Sequence, residues 1–414
     1  MSTTAPATPL AFVLKSAAGI SYLSVLIAGI ALSQLAQYLF PTQAFFKGQA
    51  LSIVTTYLFL GLSIIFCLFN QPKARWSNNS RLILLSYFIF WACALIIISF
   101  HQDGYNYTVF VVPVLIAMML WKPLDVASAR QALDTFGWSM IAIAVAGQLS
   151  VAAGFVIPRT EFPHRFPLLP LLGQDARWEG PFGNVNYSGP IGTYLVVYGL
   201  ATSGVKRIIF VASGIVFLFA SESRGAFAAA FIGVVVIVIM RERIGSLKLT
   251  HAMRITFASG VGLIAVVAAL MADPTLNGRT TIWQEFAGLW WRQPWLGFSR
   301  NEILENIANG SLSFFSTHGH NLFVESLISG GILGFVALCT WLILSGSSCI
   351  RAARRGWPAG LAVFVSVLVA SFDEDLFNGS SLSVLFLPIF LAVTLSMCLL
   401  DQSIPVLNAD SKRS

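Results

Sequence analysis

Long apolar runs, separated by short polar breaks, recur along the whole chain. They mark candidate membrane spans near 17–40, 49–69, 82–100, 107–121, 132–156, 187–202, 207–220, 225–240, 255–272, 321–345, 358–371 and 382–400. Only 10% of the residues are charged, against about 25% in ordinary soluble domains. The pattern therefore predicts an all-α polytopic membrane protein with about 12 transmembrane helices. We expect residues 1–414 to form a single membrane domain.

Basic residues fall mainly on one side of this predicted array. If the N-terminus is cytoplasmic, most of the 25 lysines and arginines lie in inside segments, as the positive-inside rule requires. Both termini are then expected in the cytoplasm. The remaining cations are nearly all arginines, namely Lys47, Arg159, Arg165, Arg177, Arg224, Arg279, Arg292 and Arg300.

Two predicted outer loops, at about 157–186 and 273–320, are long enough to hold a site. The first ends at Asn186, where the next apolar run begins. In the second, Trp283, Phe286, Leu289 and Trp290 recur at helical spacing. This spacing predicts an amphipathic helix resting on the outer membrane face. The plainer alternative is a simple interfacial anchor of tryptophans.

Two histidines, His318 and His320, stand one residue apart at the outer end of the tenth predicted span. Asn321 and Glu325 follow them. An imidazole titrates near neutrality, so at this position it can take a proton from a bound hydroxyl. The alternative is that both histidines only form hydrogen bonds within the loop.

Arg224, in the stretch "SESRGAF", lies between two apolar runs with Glu222 two residues earlier. An arginine at membrane depth is a candidate functional residue, and its structural alternative is an ion pair with an acid such as Glu222. Arg177, Arg279, Arg292 and Arg300 add guanidinium groups on the same predicted side. Because guanidinium binds phosphate oxygens in a forked geometry, a base plus several arginines indicates a phosphorylated lipid substrate.

Metal and nucleotide chemistry have little support in the sequence. The chain contains no CxxC, HExxH or GxxxxGK motif, so zinc binding and nucleotide hydrolysis are not expected. Asp373, Glu374 and Asp375 form an acidic run near an outer helix end that could hold Mg²⁺ or Mn²⁺. The first outer loop supplies no acid to complete such a site, and pairing with an outer arginine is the alternative. We therefore expect no metal, no cofactor and no nucleic acid.

Several short motifs carry a family resemblance. They are "RWEGPFGNVN" from residue 177, "SESRGA" from 221, "GRTTIW" from 278, "PWLGF" from 294 and "HGHNLFVESLISGGILG" from 318. In this order the chain resembles the O-antigen ligase and polymerase superfamily of bacterial envelope enzymes over about 170–345. The resemblance implies a lipid-dependent, GT-C type glycosyltransferase-like fold in the cell inner membrane with a periplasmic active site. It favours a lipopolysaccharide O-antigen ligase.

The resemblance also implies a mechanism and partners. An undecaprenyl-diphosphate-linked glycan would be the donor, and lipid A core or another glycan the acceptor, within membrane lipid. His320 or His318 would act as general base, and Arg224 and Arg279 would neutralise the leaving diphosphate. The reaction would invert the anomeric carbon without a metal. The expected substrate-binding residues are Arg177, Asn186, Arg292, Arg300, Trp283 and Asn321.

Four other functions are weighed at this stage. A polymerase would use the same donor and transfer the glycan to another repeat unit, and a relative that glycosylates protein would transfer it to a pilin side chain. A lipid-linked glycan transporter would also need charge at membrane depth, but the spans show no clear duplicated halves of the kind common in secondary transporters. A non-catalytic assembly scaffold would not need an arginine at membrane depth beside a histidine loop.

Overall fold

The computed structural model describes residues 21–39, 48–69, 75–100, 111–155, 177–178, 180–182, 185–240, 243–244, 247–248, 278–313, 319–372 and 387–402. Regular structure in these ranges is helical, apart from one antiparallel pair of two-residue strands, β1 (Arg243–Ile244) and β2 (Leu247–Lys248). The helices are α1 (Tyr22–Leu39), α2 (Gly48–Phe69), α3 (Asn78–Phe100), α4 (Val111–Trp121), α5 (Val126–Ala152), α6 (Val185–Ala201), α7 (Gly204–Ser221), α8 (Arg224–Met240), α9 (Arg279–Trp290), α10 (Arg300–Ala308), α11 (Leu322–Arg354), α12 (Pro358–Ala370) and α13 (Leu387–Gln402).

The predicted spans agree with these helices. Every predicted span that falls on described residues coincides with a helix, whereas the span at 255–272 lies outside them. Of the described helices, α5, α7 and α11 are long and apolar enough to cross a membrane, and several others are apolar but shorter. The prediction of a helical membrane protein is confirmed, and the number of spans stays a prediction.

One end of the bundle, here called the basic pole, gathers the ends of helices that are far apart in sequence. The Tyr22 hydroxyl donates to the Lys122 carbonyl, and the Lys122 ammonium donates to the Leu68 carbonyl. Arg355 donates to the Leu400 carbonyl. These contacts join the start of α1 and the ends of α2 and α4, and they join the residue after α11 to the end of α13. The pole is defined by Lys122, Arg130, Lys206, Arg207, Arg351, Arg354 and Arg355.

Small residues let α6, α7, α8 and α12 approach one another closely. A Cβ at Gly192 would lie 2.8 Å from the Gly214 carbonyl oxygen, so α6 and α7 touch backbone to backbone. A Cβ at Gly233 would lie 2.5 Å from Val197 and 3.1 Å from Ser366, so α8 fits tightly against α6 and α12. Such contacts are typical of helix packing in membranes, where van der Waals fit drives association.

The opposite end of the bundle, here called the outer pole, holds the residues that the motifs singled out. Short turns connect α6 to α7 and α11 to α12 at the basic pole, so α6 and α11 begin at the outer pole and α7 and α12 end there. Hydrogen bonds confirm one of these junctions, because the Leu322 amide at the start of α11 donates to the Ser371 carbonyl after α12.

Candidate functional site

The turn between α7 and α8 is tight and buried. Glu222 ends α7 in the left-handed region, with φ of 51°, and its amide donates to the Leu218 carbonyl. Glu222 and Ser223 are both buried. A non-glycine residue with positive φ is uncommon and marks a backbone that its surroundings hold in place. Arg224 follows as the first residue of α8 and is half-buried.

Arg177 supports this turn from a distant part of the chain. Its Nε donates to the Ser221 carbonyl at 2.9 Å, and its terminal nitrogen donates to the Glu222 carbonyl at 3.4 Å. The adjacent Trp178 amide donates to the Ala220 carbonyl. A cation at this place satisfies the last carbonyls of a helix and interacts favourably with its dipole. Arg177 therefore holds the turn that presents Arg224, while its predicted contact with substrate stays a prediction.

Replacing Arg177 with alanine is expected to destabilise the protein. Two carbonyls would lose a charged donor in a buried place, so the free energy of unfolding should fall by about 1–3 kcal/mol. The melting temperature of the purified protein in detergent measures this. Arg292, which is exposed, is the matched control, and Arg292→Ala should melt like the wild type. Equal melting of the two variants would refute the supporting role of Arg177.

A small helical unit, here called the outer cap, covers part of the outer pole and consists of residues 278–313. Its core joins α9, α10 and the start of α11, through Phe286, Leu289, Phe298, Ile303, Leu312 and Ile328. The predicted helix around Trp283 is thus confirmed as α9. The prediction that its apolar face rests on the membrane is wrong for Phe286 and Leu289, because these side chains are buried inside the protein.

The His320 loop is held between the outer cap and α11. The Trp283 indole N–H donates to the Gly319 carbonyl at 2.8 Å, and the Gly319 amide donates to a Glu325 carboxylate oxygen at 2.8 Å. His320 itself has a φ of 48° and is half-buried. The loop is therefore fixed from both sides at the residue before His320, and the Glu325 carboxylate binds the backbone one residue away from the imidazole.

Asn321 joins the same loop to α12. Its side-chain oxygen accepts hydrogen bonds from the Phe323 and Val324 amides and so caps the N-terminus of α11. Its side-chain nitrogen donates to the Phe372 carbonyl. Because Asn321 is buried and its amide binds backbone on both sides, its evident role is to position the loop, and its predicted contact with substrate stays a prediction.

Of the remaining predicted site residues, three lie at the beginnings of helices and one lies in an exposed turn. Arg279 is the buried first residue of α9, one turn before Trp283, and residues four apart lie on one helix face. Arg224 begins α8, which packs on α12, and Asn186 lies in the first turn of α6. Arg292 is exposed in the turn after α9.

Some predicted residues cannot be placed in this way. His318 and the acidic run Asp373, Glu374 and Asp375 lie outside the described residues, and Arg300 begins α10 with its side chain outside them. Among the residues that the structure describes, no three metal-ligating side chains come together. Glu325 was not among the predicted site residues. The sequence signal for it was its place one turn into the helix that follows His320.

Comparison with known proteins adds to this geometry. Residues 208–339 match the family model described as "O-Antigen ligase", Wzy_C. This stretch of the chain is similar to the O-antigen ligase and polymerase superfamily. The superfamily match includes Arg224, Arg279 and His320, and it extends from α7 through the outer cap into α11.

Part of the chain is also similar to a protein that is named for exopolysaccharide production. The chain is 34% identical over 103 residues to the "Exopolysaccharide production protein ExoQ" of Rhizobium meliloti (strain 1021). The similarity covers 22% of this chain and 23% of that protein. It therefore reaches less than a quarter of either chain.

Proposed function

We propose that the chain transfers an undecaprenyl-diphosphate-linked glycan to lipid A core at the periplasmic face of the inner membrane, as an O-antigen ligase does. The observation that best supports this proposal is the arrangement of residues at the outer pole. There the stretch that matches the O-antigen ligase family brings the His320 loop, its neighbouring carboxylate Glu325 and the helix that begins with Arg279 into one hydrogen-bonded unit.

In the proposed reaction His320 acts as general base. The acceptor hydroxyl oxygen attacks the anomeric carbon while its proton passes to the imidazole, and the bond from that carbon to the diphosphate oxygen breaks. Attack from the face opposite the leaving group inverts the anomeric carbon. Glu325 stabilises the imidazolium that forms, since opposite charges attract strongly away from water.

Arginines take the charge of the leaving group in this proposal. Arg224 and Arg279 neutralise the diphosphate as its bond to the sugar breaks, which stabilises the transition state electrostatically. The rigid turn at Glu222 supports this role because it fixes where α8, and hence Arg224, begins. No metal takes part in this proposal, because the arginines neutralise the leaving group. No nucleotide sugar takes part, because the donor is already activated on its lipid.

Replacing Arg224 with lysine is expected to reduce transfer sharply while the protein still folds. Lysine keeps the charge but loses the planar fork that binds two phosphate oxygens. Arg224→Lys should melt near wild type without donor and lose the stabilisation that donor gives, because a ligand stabilises only the state that it binds. The melting temperature and the transfer rate are both measured for Arg224→Lys and for the wild type. Glu222→Gln, which changes the neighbouring acid, is the comparison variant. Normal transfer and donor response in Arg224→Lys would remove Arg224 from the diphosphate site.

The proposed function is tested with the purified protein and in the cell. Purified protein, lipid-diphosphate glycan and lipid A core are mixed in the presence of EDTA, and formation of capped core is followed. In a strain without the gene, we expect uncapped core and full-length polymer left on the lipid carrier. If transfer stopped with EDTA and returned with Mg²⁺ or Mn²⁺, the metal-independent mechanism would fail.

A second function in the same superfamily is polymerisation of the glycan. The similarity to ExoQ, whose name describes exopolysaccharide production, favours it. A polymerase uses the same donor and the same base but passes the glycan to another repeat unit. Core that carries a single repeat in the deletion strain would identify the polymerase and exclude the ligase.

A further inference from the structure

Helix α11 bends sharply at Gly331, whose φ of 56° and ψ of −165° are not helical. The rings of Phe323 and Phe335 lie 6.5 Å apart across the bend. In a straight helix residues twelve apart are separated by roughly 18 Å. The first segment of α11 therefore folds back toward the second instead of continuing its axis.

Residues of the outer cap form hydrogen bonds with backbone groups of α11 at the bend. The Phe298 amide donates to the Ile328 carbonyl at 2.6 Å, and the Ile332 amide donates to the Pro294 carbonyl at 2.8 Å. These are backbone groups that the bend frees from the helix, and other parts of the protein must satisfy such groups at membrane depth. The turn at 291–296 is thereby fixed against α11 at the bend.

The segment of α11 after the bend has the length of a membrane crossing. Its exposed face is an apolar stripe that includes Leu333, Val336, Ile343 and Ile350. From Leu333 to Ile350 the stripe rises 17 steps along the helix, about 26 Å at 1.5 Å per step, and it ends next to Arg351 of the basic pole. A hydrocarbon layer is roughly 30 Å thick. The stripe thus marks the lipid-facing part of α11, and Gly331 marks its outer boundary.

The turn at this boundary exposes an unusual amount of apolar surface. Trp291 is 72% exposed, Trp295 is 67% exposed and Leu296 is 45% exposed. They lie at the level where the lipid-facing stripe begins, because Pro294 and Trp295 contact the backbone at Gly331 and Ile332. Tryptophans are enriched at this depth of membrane proteins, where an amphipathic ring faces both headgroups and acyl chains.

We propose that the 291–296 turn anchors the outer cap in the outer-leaflet interface of the bilayer, with Trp291, Trp295 and Leu296 in contact with lipid. The membrane contact of the cap thus lies in this turn and not on the apolar face of α9. This anchor is independent of the transferase chemistry. It holds the cap, and with it the His320 loop, at the membrane interface, which under the proposed function is where the diphosphate of the donor lies.

Site-directed spin labelling tests the anchor. The five native cysteines are replaced by alanine, and Trp295→Cys and Leu296→Cys are labelled separately in phospholipid nanodiscs. The matched controls are Asn309→Cys and Ser311→Cys, which are exposed positions of the same cap. The lipid reference is Val336→Cys on the stripe. Collision with oxygen and with a water-soluble nickel complex is measured at each position.

The labels at 295 and 296 are expected to resemble the lipid reference, with several-fold more oxygen contact relative to nickel than the two cap controls. Labels at 295 and 296 that are as accessible to nickel as the controls would overturn the proposal. Spin–spin broadening at 295 that disappears on dilution with unlabelled protein would also overturn it, because the surface would then bind a second copy of the chain. Measuring two positions keeps the test valid if one variant does not fold.

Discussion

Replacing His320 with alanine is expected to abolish glycan transfer while the protein still folds and still binds donor. A general base contributes a factor of about 10²–10⁴ in rate, and alanine can neither take the proton of the acceptor nor hold it. Purified His320→Ala protein is assayed for transfer to the acceptor and, separately, for stabilisation by the lipid-diphosphate donor. Loss of the first with retention of the second places the defect in the acceptor step.

Two comparison variants sharpen this result. His318→Ala should have a milder effect, because the Trp283 and Glu325 contacts fix the loop beside His320. Glu325→Gln should leave donor binding unchanged and lower the turnover rate, because the imidazolium loses its neighbouring negative charge. Near-wild-type transfer in both histidine variants would remove histidine from the mechanism altogether.

Replacing Gly331 with alanine is expected to destabilise the outer half of the protein strongly. The backbone at Gly331 has a conformation that only glycine adopts readily, and strain of this kind costs about 1–3 kcal/mol. A Cβ there would also collide with the Trp295 carbonyl oxygen, which is backbone and cannot move aside. Overpacking adds about 1–3 kcal/mol. The melting temperature in detergent should fall markedly, and transfer should fall with it.

The neighbouring glycine is an internal control. A Cβ at Gly330 meets nothing within 4 Å, and Gly330 is not among the residues with positive φ. Gly330→Ala makes the same substitution one residue away, where the added methyl group meets no neighbour. Its melting temperature should therefore be near that of the wild type. A Gly331→Ala protein as stable as Gly330→Ala would show that the bend in α11 is not required for the fold.

The helices were predictable because the membrane imposes one simple rule. An apolar run of sufficient length between polar breaks forms a helix in lipid, since every backbone group must be satisfied within the segment. The bend at Gly331 was not predictable from that rule. The apolar pattern of 321–345 continues through Gly330 and Gly331 without a break, and hydropathy does not report backbone angles.

The candidate site was predictable in part. The histidine motif and the start of α9 could be found because unusual residue types stand at helix ends. The partner of the apolar face of α9 was predicted wrongly, since an amphipathic pattern is the same whether its apolar side meets lipid or protein. The contact of Arg177 with the end of α7 was missed because it joins residues 44 apart in sequence.

The two hydrogen bonds between the outer cap and the bent helix make their amides reporters of motion. The Phe298 amide can exchange with solvent only when the cap leaves Ile328, and the Ile332 amide only when Pro294 withdraws. Both openings separate the same two pieces of chain, so these amides should exchange at similar rates and slow down together when a substrate bridges the cap and α11. Hydrogen exchange at two positions thus follows the separation of the outer cap from α11 at the bend.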